Sequence, residues 1–143
     1  MRIRTTLALS ILVALAAPAG ASEQGHHWTY SGAEGPEHWG GVCHTGKSQS
    51  PIDLDHMVDR DLPSLDFQYH DGGYRVVNNG HAVQVDFKPG SQIAVDGKHF
   101  TLKQVHFHSP SENTIDGKRY PLEAHLVHAD AKGQLAVVAV MFE

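Results

Sequence analysis

Gln104-Val105-His106-Phe107-His108 is answered, after an interval rich in turn residues, by Glu123-Ala124-His125-Leu126-Val127. In an extended strand successive side chains point to opposite faces, so Gln104, His106 and His108 share one face while Val105 and Phe107 share the other. In the second stretch Glu123, His125 and Val127 lie on one face, and Leu122, Ala124, Leu126 and His128 on the opposite one. Parity therefore admits His125 to the polar face and excludes His128. Ser109-Pro110-Ser111 and Asp116-Gly117 separate the two stretches, and Asp-Gly favours a hairpin turn, so the strands are expected to return antiparallel and side by side. Three imidazoles would then converge, and the pair of strands reads as a three-histidine metal site.

Working outward, the 143 residues allow one domain. Arg2 and Arg4 precede an apolar run from Leu7 to Ala17, and Ala19-Gly20-Ala21 offers small residues for cleavage before Ser22. That is the layout of a secretory signal peptide, so residues 1–21 are expected to be removed and 22–143 to form the domain. The run is too short to span a bilayer, and no membrane insertion is expected after cleavage. A periplasmic or secreted location follows. Of eleven basic residues, nine remain after loss of the two arginines; against sixteen acidic ones they leave a formal charge of −7. This acidity argues against nucleic acid or an anionic membrane as partner.

Between Ser22 and Gln49 no period is sustained, and the segment reads as irregular, with Trp28, Tyr30 and Trp39 as packing anchors. Short segments then follow: Leu65 to Tyr69, Tyr74 to Val77, Ala82 to Phe87, Ile93 to Val95, Phe100 to His108, Leu122 to His128 and Leu135 to Phe142. Most are separated by Gly, Pro, Asn or Asp. Val83, Val85 and Phe87 alternate with more polar residues as in a half-buried strand. Leu135-Ala136-Val137-Val138-Ala139-Val140-Met141-Phe142 is apolar on both faces and predicts an interior strand. With no convincing amphipathic helix, the chain is expected to be mainly β.

Catalytic zinc commonly takes three protein ligands and leaves a fourth position for water, and each ligand imidazole needs its other nitrogen oriented by an outer partner. Gln104 and Glu123, two residues before His106 and His125 on the same face, suit that outer role.

Six blocks in order resemble the α-class carbonic anhydrases of exported bacterial type. They are His27-Trp28-Thr29-Tyr30, Gly35-Pro36-Glu37-His38-Trp39, Ser48-Gln49-Ser50-Pro51-Ile52, Asn78-Asn79-Gly80-His81-Ala82, the H-x-H strand with Ser109-Pro110-Ser111-Glu112, and Glu123 to His128. The resemblance implies a central, largely antiparallel twisted sheet. It implies that His106, His108 and His125 bind Zn2+, with Gln104 and Glu123 behind them. His81 matches the family's proton shuttle, and Glu112 the acid that orients a catalytic threonine. Tyr30, Asn79 and Gln84 match positions of the cavity's water network, and Val127 and Val137 its apolar wall. His81 and Gln84 have opposite parity, so a bulge or bend is expected if both line one cavity.

The implied reaction is hydration of carbon dioxide to bicarbonate by zinc-bound hydroxide, the zinc lowering the pKa of its water to about 7, a magnitude established for carbonic anhydrase itself and not obtained from this sequence. An imidazole titrating near ~6.5 can relay the released proton at neutral pH. Sulfonamide- or anion-type inhibitors are implied as ligands, and a homodimer is compatible with the resemblance. In the family, the threonine and the cysteine that would pair with Cys43 come later in the chain. The sheet is therefore expected to be incomplete at its C-terminal side, the chain to represent roughly the first three-fifths of the family's length, and its isolated activity to be weak or absent. Two other readings stand beside this one. A cupin-like metalloprotein would make Glu112 a ligand, but that motif's glycine six residues before His106 is replaced by Phe100. A non-catalytic binding module with this body would be expected to lose a zinc histidine, and all three are present.

Overall fold

The computed structural model describes residues 28–143, so the expected signal peptide and His27 lie outside the described residues. The chain divides into two units, Met1–Thr45 and Gly46–Glu143. In the first, two single-turn 3-10 helices, Gly32–Glu34 and Pro36–His38, precede a short helix α1, Val42–Thr45, which carries Cys43. Trp28, Tyr30 and Trp39 pack on one another, with ring centroids 5.3 to 6.1 Å apart. The Trp39 indole N–H also donates to the Glu34 carbonyl at 2.9 Å.

The second unit is built from strands: β1 (Asp53–Leu54), β2 (Asp66–Gln68), β3 (Gly73–Asn78), β4 (Val83–Phe87), β5 (Gln92–Val95), β6 (Lys98–His108), β7 (Thr114–Ile115), β8 (Lys118–Arg119), β9 (Leu122–Ala129) and β10 (Leu135–Phe142). The seven-stranded sheet is antiparallel and runs β10-β9-β6-β4-β3, with β5 and then β2 added along the first part of β6. The long β6 is therefore its spine. Its N-terminal half pairs with β5, its C-terminal half with β4, and β9 lies along its other edge.

Two Asp-Gly pairs close two-residue hairpins. Asp96 and Gly97 (φ 49° and 72°) join β5 to β6, and Asp116 and Gly117 (φ 48° and 73°) join β7 to β8. Positive φ at both central residues is the geometry that suits the twist of the flanking strands. The second hairpin differs from the sequence expectation. It does not turn β6 back onto β9; it closes a hairpin in a separate three-stranded sheet, β1-β7-β8. β6 and β9 are nevertheless antiparallel neighbours, joined through this excursion.

β10 pairs with β9 along its whole length and has no second neighbour among the described residues. Its apolarity on both faces suits a strand that buries both. Leu135, Val137, Val140 and Phe142 are exposed. Among the described residues the buried apolar ones are Ile93, Phe100, Leu102 and Ala124, centred on the β5-β6-β9 junction.

Candidate metal centre

The register between β6 and β9 decides the site. His106 lies directly across from His125, His108 across from Glu123, and Gln104 across from Val127. Directly opposed residues share a face and come within side-chain reach, so one face carries all three histidines with Gln104 and Glu123. Further along, the register shifts between Leu102 and Gln104, leaving Lys103 as the extra residue of a bulge. The bulge moves Leu102 to the opposite face, where it pairs with the buried His128. Strict alternation would have put Leu102 among the histidines.

The three rings converge. Centroids are 4.8 Å apart for His106 and His108, 5.1 Å for His106 and His125, and 4.7 Å for His108 and His125. One nitrogen from each lies within 4.8 Å of the others. His106 Nδ1 is 2.9 Å from Gln104 Oε1. An amide oxygen can only accept, so this ring's proton belongs on Nδ1 and Nε2 keeps a free lone pair. His125 Nε2 is 2.9 Å from Glu123 Oε1, yet that nitrogen is buried without an aligned hydrogen bond. His108 Nε2 is likewise buried with no hydrogen-bond partner, and the Glu112 carboxylate stands 3.3 Å away, outside a good donor direction. Buried ring nitrogens without partners are costly unless something else occupies their lone pairs.

The electrostatics favour neutral rings. Burial, and next the neighbouring His125, hold His106 below the ordinary imidazole range. Burial with both neighbouring histidines lowers His108 to about 4. Glu123 is fully buried, and burial alone would oppose its charge; hydrogen bonds from Asn113 and the Glu112 backbone, with the His125 ring close by, outweigh that and hold it below the usual carboxylate range. Its Oε2 accepts from the backbone N–H groups of Glu112 and Asn113 at 2.7 and 3.0 Å, and its Oε1 from Asn113 Nδ2 at 2.7 Å. Burial pushes the Glu112 carboxyl upward, with His125 opposing and Glu123 adding to the shift. Three imidazoles converging from neighbouring strands, His106 oriented by Gln104 and His125 with the Glu123 carboxylate beside it, form a donor set that suits a metal ion with an open coordination position.

Gln84 lies across β4 from His106, and its Nε2 donates to Asp86 Oδ1 at 2.6 Å. His81 precedes β4 in an exposed turn, outside the strand ladder, so strand parity does not bear on it. The side-chain oxygen of Asn79 builds that turn, accepting from the N–H groups of His81 and Ala82 at 2.9 and 2.8 Å. Val127 and Val137 face each other across β9 and β10, one row from His125; Val137 is 52% exposed. Tyr30 and Cys43 belong to the other unit. His128 is fully buried on the far face, its Nδ1 3.2 Å from the Ala136 carbonyl and its Nε2 3.0 Å from the Tyr69 hydroxyl. Asn113, which supplies two of the three hydrogen bonds to Glu123, carries no sequence signal, because its partners are set by the loop's path.

The profile of the family described as eukaryotic-type carbonic anhydrase matches residues 34–143. A carbonic anhydrase of Klebsiella pneumoniae is 44% identical over 125 residues, covering 82% of this chain and 51% of the relative. Among solved structures, the α-carbonic anhydrase of Photobacterium profundum superposes with a TM-score of 0.78 at 49% identity, over 82% of this chain and 55% of that one. The Thermovibrio ammonificans enzyme, solved as a complex with the inhibitor sulfanilamide, gives 0.78 at 46% identity over the same shares. The chain spans about half the length of these relatives.

Proposed function

The chain belongs to the eukaryotic-type carbonic anhydrase family, and on that premise we propose that the protein catalyses the reversible hydration of carbon dioxide to bicarbonate at a zinc ion held by His106, His108 and His125. The observation that carries this reading is the convergence of three imidazoles whose donor nitrogens lie within 4.8 Å of one another. Nε2 of His106 and Nδ1 of His125 are the atoms left to bind, since Gln104 and Glu123 stand at the other nitrogens of those rings, and His108 would bind through Nε2, which is buried with no hydrogen-bond partner. When bound, zinc supplies a Lewis acid that makes a coordinated water nucleophilic near neutral pH.

The chain's own residues do the rest. Gln104 accepts the His106 Nδ1 proton and fixes that tautomer. Glu123, charged and immobilised, holds the His125 Nε2–H side of the ring. Glu112 stands beside His108 as the acid of the site, where it would take part in orienting a hydroxyl donor. His81, on an exposed turn, accepts the reaction's proton on its imidazole and passes it to buffer. The apolar pair Val127 and Val137 offers carbon dioxide a non-polar wall. The sulfanilamide complex of the Thermovibrio relative supports sulfonamides as ligands here as well. We place the protein in the periplasm or outside the cell after removal of residues 1–21.

The test is zinc content by mass spectrometry together with stopped-flow carbon dioxide hydration, on the wild type and on His108→Ala. Stoichiometric zinc is expected in the wild type, with hydration that is weak in the isolated 143-residue chain, and both should be lost in the variant. A wild type without zinc, or hydration unaffected by His108→Ala, would overturn the proposal. Stoichiometric zinc without hydration in a protein of the family's full length would favour a non-catalytic binding role.

A further inference from the structure

Glu123 is a fully buried carboxylate beside His125, and its own strand does not hold it in place. All three of its aligned hydrogen bonds come from the loop after β6, two of them from Asn113. The Asn113 side chain is itself held from the opposite direction. Its Oδ1 accepts the Ile52 backbone N–H at 2.8 Å, a bond across 61 residues of sequence. With the amide oxygen committed to an N–H and the amide nitrogen committed to a carboxylate, a flip would set donor against donor and acceptor against acceptor. Only one orientation is satisfied.

The backbone around Asn113 is tied down as firmly. The buried Ser111 hydroxyl donates to the Asn113 carbonyl at 2.7 Å and accepts from the Tyr120 N–H at 2.9 Å, while Arg119 donates to the Ser111 carbonyl at 2.7 Å. Thr114 N–H donates to the Ile52 carbonyl at 3.1 Å, continuing the β1–β7 pairing that brings Ile52 to Asn113. A continuous path therefore runs from Ile52 N–H through Asn113 Oδ1 and Nδ2 to Glu123 Oε1, and from there to His125 Nε2.

We propose that Asn113 is a positioning residue of the metal centre, which aims the Glu123 carboxylate at His125 Nε2 and thereby leaves His125 Nδ1 facing His106 and His108. The small β1-β7-β8 sheet is then the mount that sets the third ligand's ring. This inference rests on the metal reading of the three histidines. Asn113 acts through Glu123 and touches none of the reacting atoms. Replacing it removes one side-chain donor and loosens the peptide that carries the other two. Outer partners of this kind are typically worth about ten- to a hundredfold in metal affinity.

The experiment is cobalt(II) binding to the full chain, followed by visible absorption with a competing chelator, for wild type, Asn113→Ala and Asn113→Asp, each also in a Glu123→Gln background. Asn113→Asp keeps the size and the acceptor for Ile52 while placing a second carboxylate against Glu123. Binding about tenfold or more weaker is expected in both variants, with an altered cobalt spectrum, and with most of the difference gone once Glu123 is replaced. A residue with only a structural role would lower the metal-free unfolding midpoint and leave affinity and spectrum as in the wild type; that result would overturn the inference alone. A wild type that binds no cobalt would overturn the metal reading and this inference with it. Should both variants fail to fold, NMR of the wild type decides. Side-chain amide protons of Asn113 that are protected from exchange and shift on cobalt addition support the path, and rapidly exchanging, unshifted ones refute it.

Discussion

Replacing Glu123 by Gln is the sharpest test of how the centre is held. The two side chains have nearly the same shape, so the change isolates charge and hydrogen-bond sense. In one orientation the Gln oxygen keeps the Glu112 and Asn113 backbone N–H groups, but its NH2 then faces Asn113 Nδ2 at the 2.7 Å contact and the ring nitrogen of His125 at 2.9 Å. In the other orientation the two backbone donors are orphaned instead. Turning the Asn113 amide does not help, because Ile52 N–H needs its oxygen. At best one charge-assisted hydrogen bond is lost and one buried donor is left without a partner, a cost of about 2 to 3 kcal/mol. Urea unfolding of the metal-free protein should show that loss, with little change in slope. Chelator competition should show zinc affinity lower by about ten- to a hundredfold. Tyr69→Phe, whose hydroxyl meets His128 on the far face of the sheet, is the control for affinity. Metal-free stability within about 0.5 kcal/mol of wild type, with unchanged zinc affinity, would refute the argument.

Three further outcomes are expected. His108 is lowered from about 6.5 to about 4, chiefly by burial, so between those pH values the unfolded chain binds a proton that the folded one excludes, and metal-free stability must fall as pH drops through that window. The full shift corresponds to roughly 3 kcal/mol at most; His106 and His128 are shifted in the same direction, and denaturation curves from pH 7 to 4 should show a His108→Gln variant losing less stability over this range than wild type. Tyr69→Phe removes the hydroxyl 3.0 Å from His128 Nε2 and leaves a buried ring nitrogen without a partner, so urea unfolding should register a loss of about 1 to 2 kcal/mol, with zinc affinity unchanged because His128 lies on the far face. Asn79→Ala deletes the acceptor of two turn N–H groups; about 1 kcal/mol of stability should go, and if His81 relays protons, hydration in weak buffer should slow more than zinc binding weakens.

Short runs mostly set apart by Gly, Pro, Asn or Asp located β3, β4, β5, β6, β9 and β10 within a residue or two, and strand parity put His106, His108, His125, Gln104 and Glu123 on one face and sent His128 to the other. These are properties of adjacent residues, since the pleat converts sequence parity directly into facing. Asp-Gly likewise announced a hairpin, because few other residue pairs tolerate two positive φ angles. Which strands that hairpin joins, however, depends on partners far along the chain. The two-residue β7 and β8 are too short to carry a period, and the parallel pairing of β1 with β7 brings together residues about sixty positions apart.

The sequence by itself therefore determined the strand pattern, the composition of the polar face and, through six ordered blocks, the family. The tertiary structure alone decided the register that sets His106 opposite His125, the Lys103 bulge that keeps Leu102 off the histidine face and the seating of Asn113 between Ile52 and Glu123. The physical reason is common to all three. Facing is written into each residue's place along a strand, whereas register, bulges and buried hydrogen-bond partners are settled only when distant segments compete to satisfy the same backbone and side-chain groups.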